Sequence, residues 1–156
     1  MFWNCFTTFG FFPSVQPFSA LPYGTATMHY VVLLTGLSYP AGCFLGMLYP
    51  KHSLLAIYTT TLLGTTLGGY IVLCALMSPL PPLVGANVGS LVIVTTWVLF
   101  TFILSYSKTM ITVWICDYNA QQGMFWVGMA TQAGAAAGAL LNFALVNWAD
   151  GLFNEC

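Results

Sequence analysis

Long apolar runs, separated by short turn-forming clusters, make up nearly the whole chain. Asp, Glu, Lys and Arg are absent from residues 1–50, 52–107 and 118–149. A membrane-spanning helix needs about 20 mainly apolar residues, so these stretches have room for about five spans. We place the spans near residues 3–19, 28–49, 53–77, 89–114 and 123–148.

Turn-forming residues between these runs support the same division into spans. Clusters rich in proline, glycine and serine occur at residues 21–24, 49–52 and 78–82, and such clusters favour turns. Transmembrane strands alternate apolar and polar residues over about ten positions, whereas these runs are apolar on every side. The pattern therefore predicts an all-α membrane protein in which residues 1–156 form a single helical bundle.

Composition excludes several classes of function. Of the 156 residues, 59% are hydrophobic and 3% are charged, whereas a soluble domain carries about 25% charged residues. A net charge of −1 provides no basic surface for nucleic acid. The five cysteines lie singly along the chain, which indicates neither a metal site nor a disulfide framework. We find no phosphate-binding loop and no catalytic set, and we expect neither an enzyme nor a cofactor.

The orientation in the membrane is predicted from a single residue. Lys51 is the only basic residue in a predicted loop, and cytoplasmic loops are enriched in Lys and Arg. The second loop is therefore expected on the cytoplasmic side. This places the N-terminus in the cytoplasm and the C-terminus outside the cell.

Three spans carry small residues four positions apart. They are Gly42 with Gly46, Gly64 with Gly68, and Ala130 with Gly134 and Gly138. Small residues let membrane helices approach closely, because lipid supplies no hydrophobic drive between them. We interpret the ladders as contacts within the bundle, with a dedicated homodimer motif as the alternative.

A polar stripe is predicted on the fourth span. Trp97, Thr101, Ser105, Lys108 and Thr112 are spaced by three or four residues, which places them on one helix face. A lysine at the centre of a membrane helix costs about 2.5–3.5 kcal/mol on insertion scales. Lys108 and Ser105 are therefore candidates for the translocation path or a gate, and Trp97 and Thr101 for binding. Packing, or a lysine that reaches the membrane surface, is the alternative.

The first span contains Pro13 and Pro17, which lack the N–H groups that a helix requires. Interrupted membrane helices often build the substrate site of a transporter. Ser14, Gln16 and Ser19 surround this interruption and are candidate binding residues, with a simple kink as the alternative.

Other neutral polar residues occur in the predicted spans. Gln132 and Asn142 lie in the last span, and His29 begins the second. Gln132 is a candidate for binding, and His29 and Asn142 are candidates for translocation or gating. A hydrogen bond between helices is the alternative for each of them.

A series of short motifs resembles the C-terminal half of the eukaryotic riboflavin transporters among the solute carriers. The motifs follow one another along nearly the whole chain. They are residues 13–24, His29, Pro40, residues 50–54, 63–65, Gly68, Tyr70, and residues 77–79, 97–100, 105–106, Lys108, 132–134, 138–141 and 145–147.

The resemblance implies one bundle of an eleven-helix, major-facilitator-like carrier whose N-terminal bundle is absent from this sequence. It also implies facilitative transport of riboflavin across the plasma membrane. The partners would be riboflavin, the lipid bilayer and the N-terminal bundle, with no nucleic acid. A small multi-pass subunit that scaffolds a membrane complex through its Gly and Ala faces is the alternative function.

Two positions depart from the pattern of similar sequences. Phe9 precedes Gly10 where those sequences have asparagine, which removes an amide that would be available to a substrate. Leu80 replaces a cysteine that is common in the third loop, so we do not expect a disulfide between this loop and Cys156.

Overall fold

The computed structural model describes residues 1–49, 53–78, 81 and 87–148. The first part of the chain forms α1 (Phe2–Cys5), a π-helix (Phe6–Phe11), α2 (Phe12–Ala20) and a 3₁₀ turn (Leu21–Tyr23). Four long helices follow, α3 (Thr25–Leu48), α4 (Leu54–Leu76), α5 (Asn87–Tyr118) and α6 (Ala120–Trp148). No β-strand occurs within the described residues, and the predicted all-α fold is confirmed.

Within the described residues, four helices are long and apolar enough to cross a membrane. They are Thr25–Leu48, Leu54–Leu76, Val88–Tyr118 and Ala120–Leu145. The predicted first span is divided into α1, the π-helix and α2, none of which is long enough to cross alone. Residues 2–20, called here the first segment, form a helical stretch of roughly 28 Å at 1.5 Å per residue. That length is close to the hydrocarbon thickness of a bilayer, and the fifth crossing stays a prediction.

The turn between α5 and α6 is shorter than the pattern predicts. Polar residues from Asp117 to Gln122 indicate a loop there, but only Asn119 is non-helical. Its Oδ1 accepts a hydrogen bond from the backbone N–H of Gln122 at 3.4 Å, in the manner of a helix cap. With this cap, α5 continues past its predicted end at residue 114, and α6 begins before its predicted start at residue 123.

The first segment changes helical register just before its first proline. The N–H of Phe12 donates to the carbonyl of Thr7, five residues back, as in a π-helix. Pro13 follows immediately, and Pro17 lies inside α2. The interruption predicted at these prolines therefore takes the form of a π-helix over Phe6–Phe11.

The backbones of α6 and the first segment are in direct contact. A methyl group added at Gly134 would lie 2.6 Å from the carbonyl oxygen of Phe2, and one added at Gly138 would lie 2.5 Å from that of Phe6. The same group at Gly10 would lie 2.6 Å from the Cα of Gly138. Only glycine permits this approach, so the glycines of this ladder pack within the bundle as predicted.

The other two ladders also face inward. A methyl group added at Gly46 would lie 2.9 Å from Cβ of Thr109 on α5. At Gly68 it would lie 2.7 Å from the Phe12 ring. The apolar core lies beside these glycines, between the first segment, α4 and α5, and includes Phe12, Ile71, Trp97, Phe100 and Leu104.

Some predictions fall on residues outside the described ranges. Lys51, on which the orientation depends, is one of them, as are Leu80 and Cys156.

Candidate functional site

A cavity of about 230 Å³ lies between the first segment, α3 and α5. Three residues that the sequence singles out, Gln16, Trp97 and Thr101, line it. Phe9 and Tyr39 complete much of its wall. We call it the Gln16 cavity.

Gln16 supplies a free amide to this cavity. Its side chain is half-buried and has no hydrogen-bond partner within the part of the chain that the structure describes. An amide offers two donors and an acceptor with two lone pairs. Gln16 is therefore equipped to bind a neutral polar ligand.

Ser19 holds the indole of Trp97 in place. The Nε1–H of Trp97 donates to Oγ of Ser19 at 3.1 Å, and both side chains are buried. The Ser19 hydroxyl in turn donates to the carbonyl of Gln16 at 3.1 Å. Ser19 thus positions a ring of the cavity from behind the wall and does not face the cavity itself.

Aromatic contacts fix the Trp97 ring further. Phe12 and Phe100 meet it edge to face, with centroids 6.0 and 5.8 Å away. Such pairs contribute about 0.5–1.5 kcal/mol beyond the area they bury. One wall of the cavity is therefore a rigid aromatic surface, which suits the stacking of a flat ring.

Lys108 contacts two rings of the cavity wall. Its Nζ donates to the hydroxyl of Tyr39 at 3.2 Å and lies 4.5 Å from the centroid of Phe9. Phe9 and Tyr39 meet edge to face at 5.6 Å. The ring quadrupoles attract the cation, so the ammonium ties the first segment, α3 and α5 together beside the cavity.

The rest of the polar stripe on α5 satisfies its own helix. Thr101 Oγ1 donates to the carbonyl of Trp97, and Ser105 Oγ to that of Phe102. Ser105 is buried against Gly42 of α3. Thr101 stays at the cavity wall, whereas Ser105 is a packing contact.

Asn142 and Ser14 lie beside a different cavity, next to α6. Asn142 Nδ2 donates to the carbonyl of Phe11 at 2.9 Å, at the end of the π-helix. Ser14 and Asn142 line a separate cavity of about 330 Å³ beside α6. The structure therefore separates Ser14 from Gln16, although they are two residues apart.

Gln132 and His29 are exposed on the surface of the bundle, and neither lines the Gln16 cavity. The sequence reasoning did not identify Tyr39 and Thr35 as cavity residues. Each is one polar residue in an apolar run of α3. Phe9 was noticed only as a departure from similar sequences.

Comparison with known proteins places the chain in a family. The family model described as "Solute carrier family 52, riboflavin transporter" matches residues 1–155. No solved structure matches the chain significantly.

The curated relatives are named as members of the same family. Riboflavin transporter member 3-A of Danio rerio is 40% identical over 145 residues, covering 93% of this chain and 32% of the relative. Member 3 of Homo sapiens is 41% identical over 140 residues, covering 90% and 30%. Member 2 of Homo sapiens is 37% identical over 136 residues, covering 87% and 30%.

The match spans nearly all of this chain but only about a third of the length of these relatives. The match also agrees with the fold, since four of the helices are apolar enough to cross a membrane. The chain belongs to the solute carrier family 52 of riboflavin transporters.

Proposed function

We propose that this chain is the C-terminal helical bundle of a facilitative riboflavin carrier in the plasma membrane. The observation that carries the proposal is the Gln16 cavity. Its lining includes the unbonded amide of Gln16 and an aromatic wall held in place by ring contacts, and the lining residues carry no charge.

The chemistry of this wall suits riboflavin. The vitamin is neutral and combines a flat ring system with a polyhydroxyl chain. Trp97 and Phe9 offer ring faces or edges for stacking, while Gln16 and Thr101 offer hydrogen bonds. We therefore propose Gln16, Trp97 and Thr101 as substrate contacts, with Ser19 positioning Trp97 and Lys108 holding a gate.

Size suggests that the cavity is only part of a site. Ligand pockets usually enclose about 300–1,000 Å³, and this one has about 230 Å³. In carriers built from two repeats, the substrate lies between the repeats, which move against one another. A second bundle placed over the cavity would supply the missing wall.

The scaffold alternative loses its main support. That alternative relied on glycine faces that are free to receive other proteins. The glycines at positions 46, 68, 134 and 138 instead contact neighbouring helices of the same chain.

Uptake measurements test the proposal. This chain expressed alone should show no riboflavin uptake, because one bundle forms one wall of the site. Co-expression with the N-terminal bundle of a family member should restore saturable uptake of labelled riboflavin. Cells with the N-terminal bundle alone are the control. Saturable uptake by the purified chain in liposomes, or none by the pair at normal surface levels, would contradict the proposal.

The remaining sequence candidates carry less support. Ser14, Gln132 and His29 do not line the Gln16 cavity, and a role for them stays a prediction. We also propose that the N-terminus is cytoplasmic and the C-terminus extracellular, which depends on Lys51.

A further inference from the structure

Asn4, Thr61 and Ser107 form a buried polar cluster in the half of the bundle that contains the first residues of α4. Asn4 Nδ2 donates to Oγ of Ser107 at 3.2 Å, and that oxygen lies 2.8 Å from Oγ1 of Thr61. Asn4 is 2% exposed. Its Oδ1 is buried and has no hydrogen-bond partner among the described residues.

The missing partner does not depend on how the amide is assigned. If nitrogen and oxygen were exchanged, the nitrogen would lack a partner instead. A buried polar group without a hydrogen bond costs free energy, and inside a membrane no bulk water is present to supply one. Asn4 is therefore an amide with unused hydrogen-bonding capacity.

Asn4 lines a cavity of about 260 Å³, far larger than the space of one water molecule. Its walls include three aromatic side chains, Trp3 of the first segment, Tyr58 of α4 and Trp114 of α5. Their rings suit a flat ligand. We call it the Asn4 cavity.

The polarity of the Asn4 cavity runs from deep to shallow. Leu54, which begins α4, lines the cavity, and so does Thr61. Thr61 lies seven residues further along, or roughly 10 Å deeper. The Asn4 amide and the Thr61 hydroxyl are thus at the deep end, while Leu54 lies toward the helix end with the amphipathic rings of Tyr58 and Trp114. A lipid headgroup would lie at the membrane surface and would leave the deep amide without a partner.

We propose that the Asn4 cavity binds the edge of a flat heteroaromatic solute whose ring N–H donates to Oδ1 of Asn4. The inference rests on the proposed function, from which the ring is the flavin and the donor its imide N–H. The oxygen is buried, although the residue lines the cavity. Turning the amide about its broad χ2 torsion brings the oxygen toward a ligand and breaks the bond from Nδ2 to Ser107, and the new bond from the ligand offsets that loss. The Asn4 cavity is then a second subsite, separate from the Gln16 cavity.

Competition by a methylated flavin tests this contact. In cells that co-express both bundles, unlabelled riboflavin and 3-methylriboflavin compete with labelled riboflavin for uptake. The methyl group removes the imide donor, so we expect 3-methylriboflavin to need about a tenfold higher concentration. In Asn4→Leu the two compounds should compete equally. Asn147→Leu is the control and should keep the tenfold preference, since within the described part of the chain this exposed amide bonds the Phe143 carbonyl of its own helix.

A second pair of variants covers the case in which Asn4→Leu fails to fold. Tyr58→Leu removes a ring from the wall and should raise the apparent KM several-fold, while Tyr30→Leu, an exposed tyrosine on α3 away from this cavity, should not. Equal competition in the unaltered carrier, or a preference that survives in Asn4→Leu, would overturn the inference and leave the proposed function standing. Absence of uptake by the unaltered pair would overturn the proposed function itself.

Discussion

Lys108 has surroundings unlike those of an ordinary surface lysine. It is half-buried among helices, donates to the Tyr39 hydroxyl and lies over the Phe9 ring. The Tyr39 hydroxyl belongs to a neighbouring helix, so the contact joins α5 to α3. The proposed substrate, riboflavin, is neutral and would gain little from a charged contact, so we propose that Lys108 has a local role in holding helices together.

Gln16 and Lys108 should therefore respond differently to substitution. In a co-expressed carrier, Gln16→Ala removes one hydrogen bond to the ligand, worth about 0.5–1.5 kcal/mol, and the apparent KM should rise roughly two- to tenfold. Lys108→Met keeps the length of the side chain but removes its charge. It should lower maximal transport or surface level and leave KM near its original value.

Uptake kinetics on surface-normalised cells separate the two effects. Thr66→Ala is a suitable control, since this exposed hydroxyl bonds the Leu63 carbonyl of its own helix and no other described residue. If Lys108→Met changes the KM and Gln16→Ala does not, the proposed site is on the wrong helix.

The helices themselves were largely predictable, and the reasons are local. Long apolar runs fix α3 to α6 without reference to any partner, and proline marks the interruption of the first segment. The form of that interruption was not predictable, because a π-helix over Phe6–Phe11 depends on contacts with α6, more than 120 residues away. Asn4 gave no signal for the same reason, since its partner Ser107 is 103 residues distant.

The contact between α6 and the first segment gives a prediction at this scale. Gly134→Leu places a side chain against the Phe2 carbonyl and should cost about 1–3 kcal/mol or more, as overpacking does. The variant should misfold or be retained inside the cell. Surface biotinylation, or thermal stability in detergent, measures the loss.

Gly128→Leu is the matched control on the same helix. A methyl group added at Gly128 meets nothing within 4 Å, and both substitutions gain the same helix propensity, about 1 kcal/mol. Any difference between the two variants therefore reports packing. Equal surface levels would show that the close approach of α6 is not required.

The whole chain must insert with one orientation. If the first segment crosses the membrane, the five crossings place the two ends of the chain on opposite sides. The loops before and after α4 are then also on opposite sides, since α4 is long enough to cross once. Lys51 is the only Lys or Arg in a predicted loop, and from it we propose that the first of these loops is cytoplasmic.

Glycosylation mapping tests this orientation with little background. The chain contains no Asn-X-Ser/Thr sequence of its own, so any modification reports an inserted acceptor. An acceptor in a glycine- and serine-rich spacer beside Val84 should be glycosylated, because that loop is expected to face the lumen during synthesis. The same spacer beside Lys51 should remain unmodified.

Removal of the glycan by an endoglycosidase, seen as a shift on a gel, identifies the modified form. The reverse pattern would invert the proposed topology and place the Asn4 cavity, which is lined by the first residue of α4, in the extracellular half of the bundle. Modification at both positions would show that α4 does not cross.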